Sequence, residues 1–199
     1  MNDGKAASTH ETRQRIVRAG TELFRRSGYT GTGMKQIAEA AGAPFGSIYH
    51  FFPGGKAQLA EEIVRTSGAV YLDLVTTLMA SSDDPVRATA DAFTAAADTL
   101  TALDFADPCP IATVALEVAS TNEPLRKATS EVFDGWIGHL AAFYTTGGIP
   151  ARLARDTASS VIALLEGAFM LARAARSTAP VLAASGSAAA IVRAALTGG

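Results

Sequence analysis

The sequence is poor in the residues from which most catalytic and metal sites are built. It has one cysteine, Cys109, and three histidines, His10, His50 and His139, among 199 residues. A single thiol excludes an intrachain disulfide framework and fits a reducing compartment. The histidines lie far apart, and no His-x-x-x-His or Cys-x-x-Cys spacing occurs, so no metal site is expected. A nucleophilic enzyme would have to use Cys109 with His139, and no third residue is indicated to orient the pair. No cation lies within eight residues of Cys109, which favours a packing role over a redox-sensing thiolate. Convincing strands are missing, and with them any glycine pattern that cradles phosphate after a strand. Residues 1–12 are polar and lack the apolar core of a signal peptide. The most apolar stretch, around Val161–Ala175, is interrupted by Glu166 and flanked by Arg155, Asp156, Arg173 and Arg176. It reads as too short and too charged to span a bilayer. The expectation is a cytoplasmic protein with no catalytic residues, no cofactor and no membrane partner.

What is present points to helices. The hydrophobic fraction of 48% supports a buried core. Alanine is abundant, β-branched runs are short, and Gly and Pro fall between periodic segments, which together predict an all-α fold. The net charge of −2 conceals an asymmetry. Residues 1–56 hold eight Lys and Arg against four acids, so this part is +4 and the remainder −6. A basic N-terminal module on an acidic body suits a protein that touches a polyanion with one end.

The first helix is expected from about Thr9 to Ser27, with Thr12, Ile16, Ala19 and Leu23 at helical spacing and Gly28 as the stop. A second spans about Met34–Ala41, capped by Thr32 or Gly33, and Gly42 ends it. A third, Pro44–Phe52, starts on a proline suited to a first turn and stops at Pro53-Gly54-Gly55. Longer helices follow at about 56–80, 85–104, 110–120, 123–145, 151–176 and 179–197. No linker separates two domains; the boundary is placed inside the fourth helix, giving 1–65 and 66–199.

Three short helices joined by tight turns make a helix-turn-helix. On the third, Ile48 and Phe52 are one turn apart and can anchor it to Leu23, Phe24, Ile37 and Ala38. Phe45, Gly46, Ser47, Tyr49 and His50 lie wholly or partly off that face. Exposed Phe, Tyr and His suit a DNA groove: Tyr and Ser donate to phosphates, His reads a base edge, and Phe packs against a thymine methyl. Lys35 and Lys56 bracket this helix with positive charge.

Between residues 66 and 176 the aromatics cluster, with polar residues among them. The preferred ligand lining is Phe93, Phe105, Leu116, Phe133, Trp136 and Met170, with Glu117 as a polar partner. Ordinary core packing is the competing reading for each. The last two helices are rich in small residues, which allow close helix approach. A helical adaptor for protein partners is the remaining alternative, and the basic N-terminal charge argues against it.

The run Gly28-Tyr29-Thr30-Gly31-Thr32-Gly33-Met34-Lys35-Gln36-Ile37-Ala38-Glu39-Ala40-Ala41-Gly42, followed by Gly46-Ser47-Ile48-Tyr49-His50-Phe51-Phe52, resembles the TetR/AcrR family signature. The resemblance is specific over about residues 10–65. It implies a homodimer that places the third helix of each subunit in successive major grooves of double-stranded operator DNA. It also implies an all-helical C-terminal bundle that binds a small-molecule inducer and dimerises through its last two helices, the usual outcome being repression. By position, Thr32, Lys35, Phe45, Gly46 and Ser47 become groove candidates. Tyr49 and His50 match phosphate and base contacts, and Lys56 matches a phosphate-clamping lysine. Two departures stand out: Gly33 replaces the usual Ser or Thr, and three residues, Pro53-Gly54-Gly55, replace the usual two before the lysine. The second resembles the LmrA/YxaF branch, whose members often answer to flavonoid-like or lincosamide-type molecules.

Overall fold

The computed structural model describes residues 3–106 and 109–198, with side chains from His10 onward. Asp107 and Pro108, part of the break read before Cys109, lie outside the described residues. The elements are α1 (Asp3–Ser27), α2 (Met34–Ala40), α3 (Phe45–Phe51), α4 (Gly55–Met79), α5 (Pro85–Ala102), α6 (Pro110–Val118), α7 (Glu123–Thr146), α8 (Ala151–Ala175) and α9 (Ala179–Thr197). No strand occurs among the described residues. The fold is all-helical, as the alanine content and helical periodicity predict.

The ends follow their capping residues. Asp84 caps α5 by accepting from the Val86 N–H at 2.9 Å, with Pro85 in the first turn. Cys109 caps α6, its Sγ accepting from the Ala112 N–H at 3.4 Å, with Pro110 next. Asn122 Oδ1 accepts from the Leu125 N–H at 3.1 Å at the start of α7. The thiol is buried and used as a cap, in line with a packing role.

Two compact units form. The first comprises Met1–Gly68 and Cys109–Val132, so α6 and the start of α7 join the N-terminal helices. Its core holds Ile16, Phe24, Ile37, Ile48, Phe52, Leu59 and Ile63, together with Ile111, Val114, Val118 and Leu125. Gly20 sits mid-helix in α1, where a Cβ would stand 2.5 Å from Ile63 Cδ1. The glycine costs helix propensity, about 1 kcal/mol relative to Ala. In exchange the Ile63 side chain of α4 occupies the space beside Gly20.

The second unit comprises Ala69–Pro108 and Phe133–Gly199. Its core is built from α5, α7, α8, α9 and the end of α4, around Phe93, Leu100, Leu140, Tyr144, Val161, Val181 and Val192. Tyr144 is fully buried with its hydroxyl 2.9 Å from Thr89 Oγ1. Thr89 already donates to the Pro85 carbonyl at 2.7 Å, so Tyr144 is the donor in this pair. Burial pushes the Tyr144 phenol up to about 12.

By length and composition, α8 and α9 both meet the measure of a membrane-crossing helix. The apolar stretch Val161–Ala175 is part of a longer helix of 25 residues, so it is not too short to cross a membrane. Within the chain only 22% and 28% of their apolar stretches are buried.

Candidate nucleic-acid interface

The turn before α2 settles the capping question. Gly33 is the N-cap, and the Gln36 side chain returns to accept from the Gly33 N–H at 2.7 Å. Thr32 is buried, and its hydroxyl donates to the Gly28 carbonyl at 2.8 Å, with the Leu23 carbonyl at 3.3 Å. Its place among the groove candidates is therefore corrected: the hydroxyl is spent on closing the α1–α2 turn.

Pro44 caps α3 with φ −56°, and the helix proper is seven residues, Phe45–Phe51. That is too short to hold itself together, so packing must define it. Ile48 and the residue just past its end, Phe52, are fully buried and pin it in the core of the first unit. The opposite face is left for contact. Phe45 and Tyr49 are 49% and 48% exposed and pair edge to face with ring centroids 5.6 Å apart. A Cβ added at Gly46 would meet no atom within 4 Å, so nothing in the chain occupies the space before it. Ser47 is half-buried, and His50 is exposed with its ring edge-on to Phe51 at 5.1 Å. Lys35 stands out on α2, its ammonium 3.9 Å from Glu39.

Lys56 is placed differently. Its Nζ lies 4.4 Å from the centroid of the Tyr29 ring, a cation–π contact, and the side chain is half-buried. Burial pushes its pKa below the ordinary lysine range, and the negative charge of Glu117 opposes that shift. The structure thus brings Lys35, Phe45, Gly46, Ser47, Tyr49 and His50 to the surface of α2 and α3, with Lys56 against the neighbouring turn.

The residues read as a ligand lining fall in different places. Leu116 and Glu117 belong to α6 in the first unit. Leu116 is 80% exposed, while Glu117 accepts from the Tyr29 N–H at 3.1 Å and the Thr30 N–H at 2.6 Å. Glu117 as a pocket partner is corrected on this ground: both its oxygens are engaged by backbone. In the second unit Phe133 and Trp136 meet edge to face at 5.5 Å, and Tyr71 lies 6.3 Å from Trp136. Phe93 is core, and Met170 is 63% exposed. Phe105 follows Asp104 in the left-handed region, with φ values of 58° and 50°. The pair is held by Arg176, whose guanidinium is 2.5 Å from Asp104 Oδ1 and 5.5 Å from the centre of the Phe105 ring. Among the described residues no group of three or more His, Cys, Asp or Glu is placed to hold a metal.

Residues 16–63 match the model described as bacterial regulatory proteins, tetR family, and residues 85–187 match transcriptional regulator LmrA/YxaF-like, C-terminal domain. The HTH-type transcriptional regulator YxaF of Bacillus subtilis is 32% identical over 175 residues, 88% of this chain and 92% of its own. LmrA of the same organism is 30% identical over 172 residues, covering 86% and 92%. A TetR transcriptional regulator from Chloroflexus aurantiacus superposes with a TM-score of 0.78 at 29% identity, covering 94% of this chain and 96% of that one.

Proposed function

The chain belongs to the TetR family of DNA-binding transcriptional regulators, with an LmrA/YxaF-like C-terminal domain, and on that premise we propose that it is a homodimeric repressor released from its operator by a small apolar or aromatic molecule. The family and these relatives are regulators, not enzymes. In this reading residues 1–65 carry the DNA-reading helices, and 66–199 carry ligand binding and dimerisation. The protein works in the cytoplasm without a cofactor, and without a membrane partner.

The observation that carries the proposal is the two-faced α3: Ile48 and Phe52 buried, Phe45 and Tyr49 half-exposed beside an open Gly46. A rigid short helix with aromatic and hydroxyl groups on its free face fits a major groove, with Ser47 and Tyr49 on phosphates and His50 on a base edge. Lys35 and Lys56 supply charge to adjacent phosphates. One such helix makes few contacts, so useful specificity calls for two copies at half-sites a helical turn apart. The apolar surface left open on α8 and α9 supports their pairing with a second subunit. The Tyr71–Trp136–Phe133 cluster supports an aromatic ligand.

The test is retardation of the DNA upstream of the protein's own gene, titrated across salt concentrations. Affinity should fall steeply, with a log–log slope of roughly −0.9 per phosphate neutralised. Binding that is absent, or that ignores salt, overturns the reading.

A further inference from the structure

At the end of α1 the chain turns through Gly28 at φ +71°, and the next two backbone N–H groups, of Tyr29 and Thr30, are taken by one carboxylate. Glu117 Oε1 receives the first at 3.1 Å and Oε2 the second at 2.6 Å, from 88 and 87 residues away in sequence. Bonds from N–H groups to a charged acceptor are the stronger kind. A Cβ on Gly28 would run into this same carboxylate, so the position is closed to side chains by space as well as by φ.

We propose that Glu117 is a positioning residue for DNA reading: from α6 it fixes the α1–α2 turn, and through that turn the start of α2 and the placing of Lys56. The proposal rests on the first unit being the DNA-binding head. The chain of contacts is short. The turn that Glu117 holds is closed by Thr32 on the Gly28 carbonyl, and Gly33 then launches α2. The Tyr29 ring in the same turn is the seat of the Lys56 ammonium.

Charge and position predict opposite signs here. Glu117 is an anion beside a lysine meant for phosphate, so on electrostatics alone its removal would tighten DNA binding. A positioning role predicts weaker binding.

The test uses the full chain and a duplex recovered with the wild type from random-sequence DNA. Glu117→Gln keeps size and removes the charge, but its amide nitrogen cannot accept from the second N–H. Measured well below the unfolding midpoint, with helical circular dichroism unchanged, its affinity should fall about ten-fold, the effect of losing one charge-assisted hydrogen bond. Equal or tighter binding overturns the proposal. In the wild type, the Tyr29 and Thr30 amide protons should exchange slowly with solvent. Fast exchange overturns it without recourse to any variant, and decides the matter should Glu117→Gln not fold. A wild type that recovers no duplex defeats the DNA reading itself, which the wild-type arm alone reveals.

Discussion

Tyr49 shows how one side chain can be separated from the scaffold that presents it. Its ring touches Phe45 one turn earlier and is otherwise half open. An aromatic pair at this helical spacing contributes about 0.2–0.5 kcal/mol, so Tyr49→Ala should leave helicity and melting nearly unchanged. Operator affinity should nevertheless drop at least about ten-fold, since a phosphate donor and an interfacial ring go together. Filter binding beside circular dichroism checks both halves; a large loss of helical signal would make Tyr49 a core residue instead. Thr32 is the opposite case. It sits in the same motif, yet its hydroxyl closes a turn and never reaches the surface. Residue type and motif position did not separate these two roles, because solvent exposure depends on how neighbouring helices cover each side chain.

Element boundaries were far more legible. Gly28, Pro44, Pro85, Pro110 and Pro150 mark starts and stops through their own backbone chemistry, and the helices keep to them. The main departure is at the first element, which begins at Asp3 rather than near Thr9, a stretch with little apolar periodicity to read. The third helix illustrates why local signals sufficed to find an element but not to explain it. At seven residues α3 depends on Ile48 and Phe52 being enclosed by α1 and α2. Phe52→Ala should therefore cost about 3–5 kcal/mol, as deletion of a buried aromatic does. Chemical denaturation should show a midpoint shift of that size, and a loss below about 1 kcal/mol would mean the helix is held otherwise.

At the scale of the whole chain, the unburied apolar faces of α8 and α9 are the surface that the proposed pairing of two subunits would cover. Leu171 and Leu182 are mostly open, on helices apolar enough to prefer company. Sedimentation equilibrium should give twice the chain mass, and Leu182→Glu should shift the balance toward monomer; a monomeric wild type would remove the dimer from the proposal. The pairing of Glu117 with Tyr29 and Thr30 was beyond sequence reading for a plain reason. A carboxylate among apolar helical residues carries no mark of a backbone partner 88 positions away. The aromatic grouping of Phe133 with Trp136 was visible because it is one turn of a single helix, whereas Leu116 and Met170 required the fold to show which way they face.

The enclosure of Ile111, Val114, Val118 and Leu125 among the N-terminal helices bears on portability. A fragment cut after residue 65 would leave behind α6, which packs against α1 within the same unit. Grafting this reading head onto another sensor therefore means carrying a second, non-contiguous piece of chain with it. Recombination at a single crossover would not transfer specificity cleanly, and exchange between relatives should tolerate only paired swaps of 1–68 and 109–132.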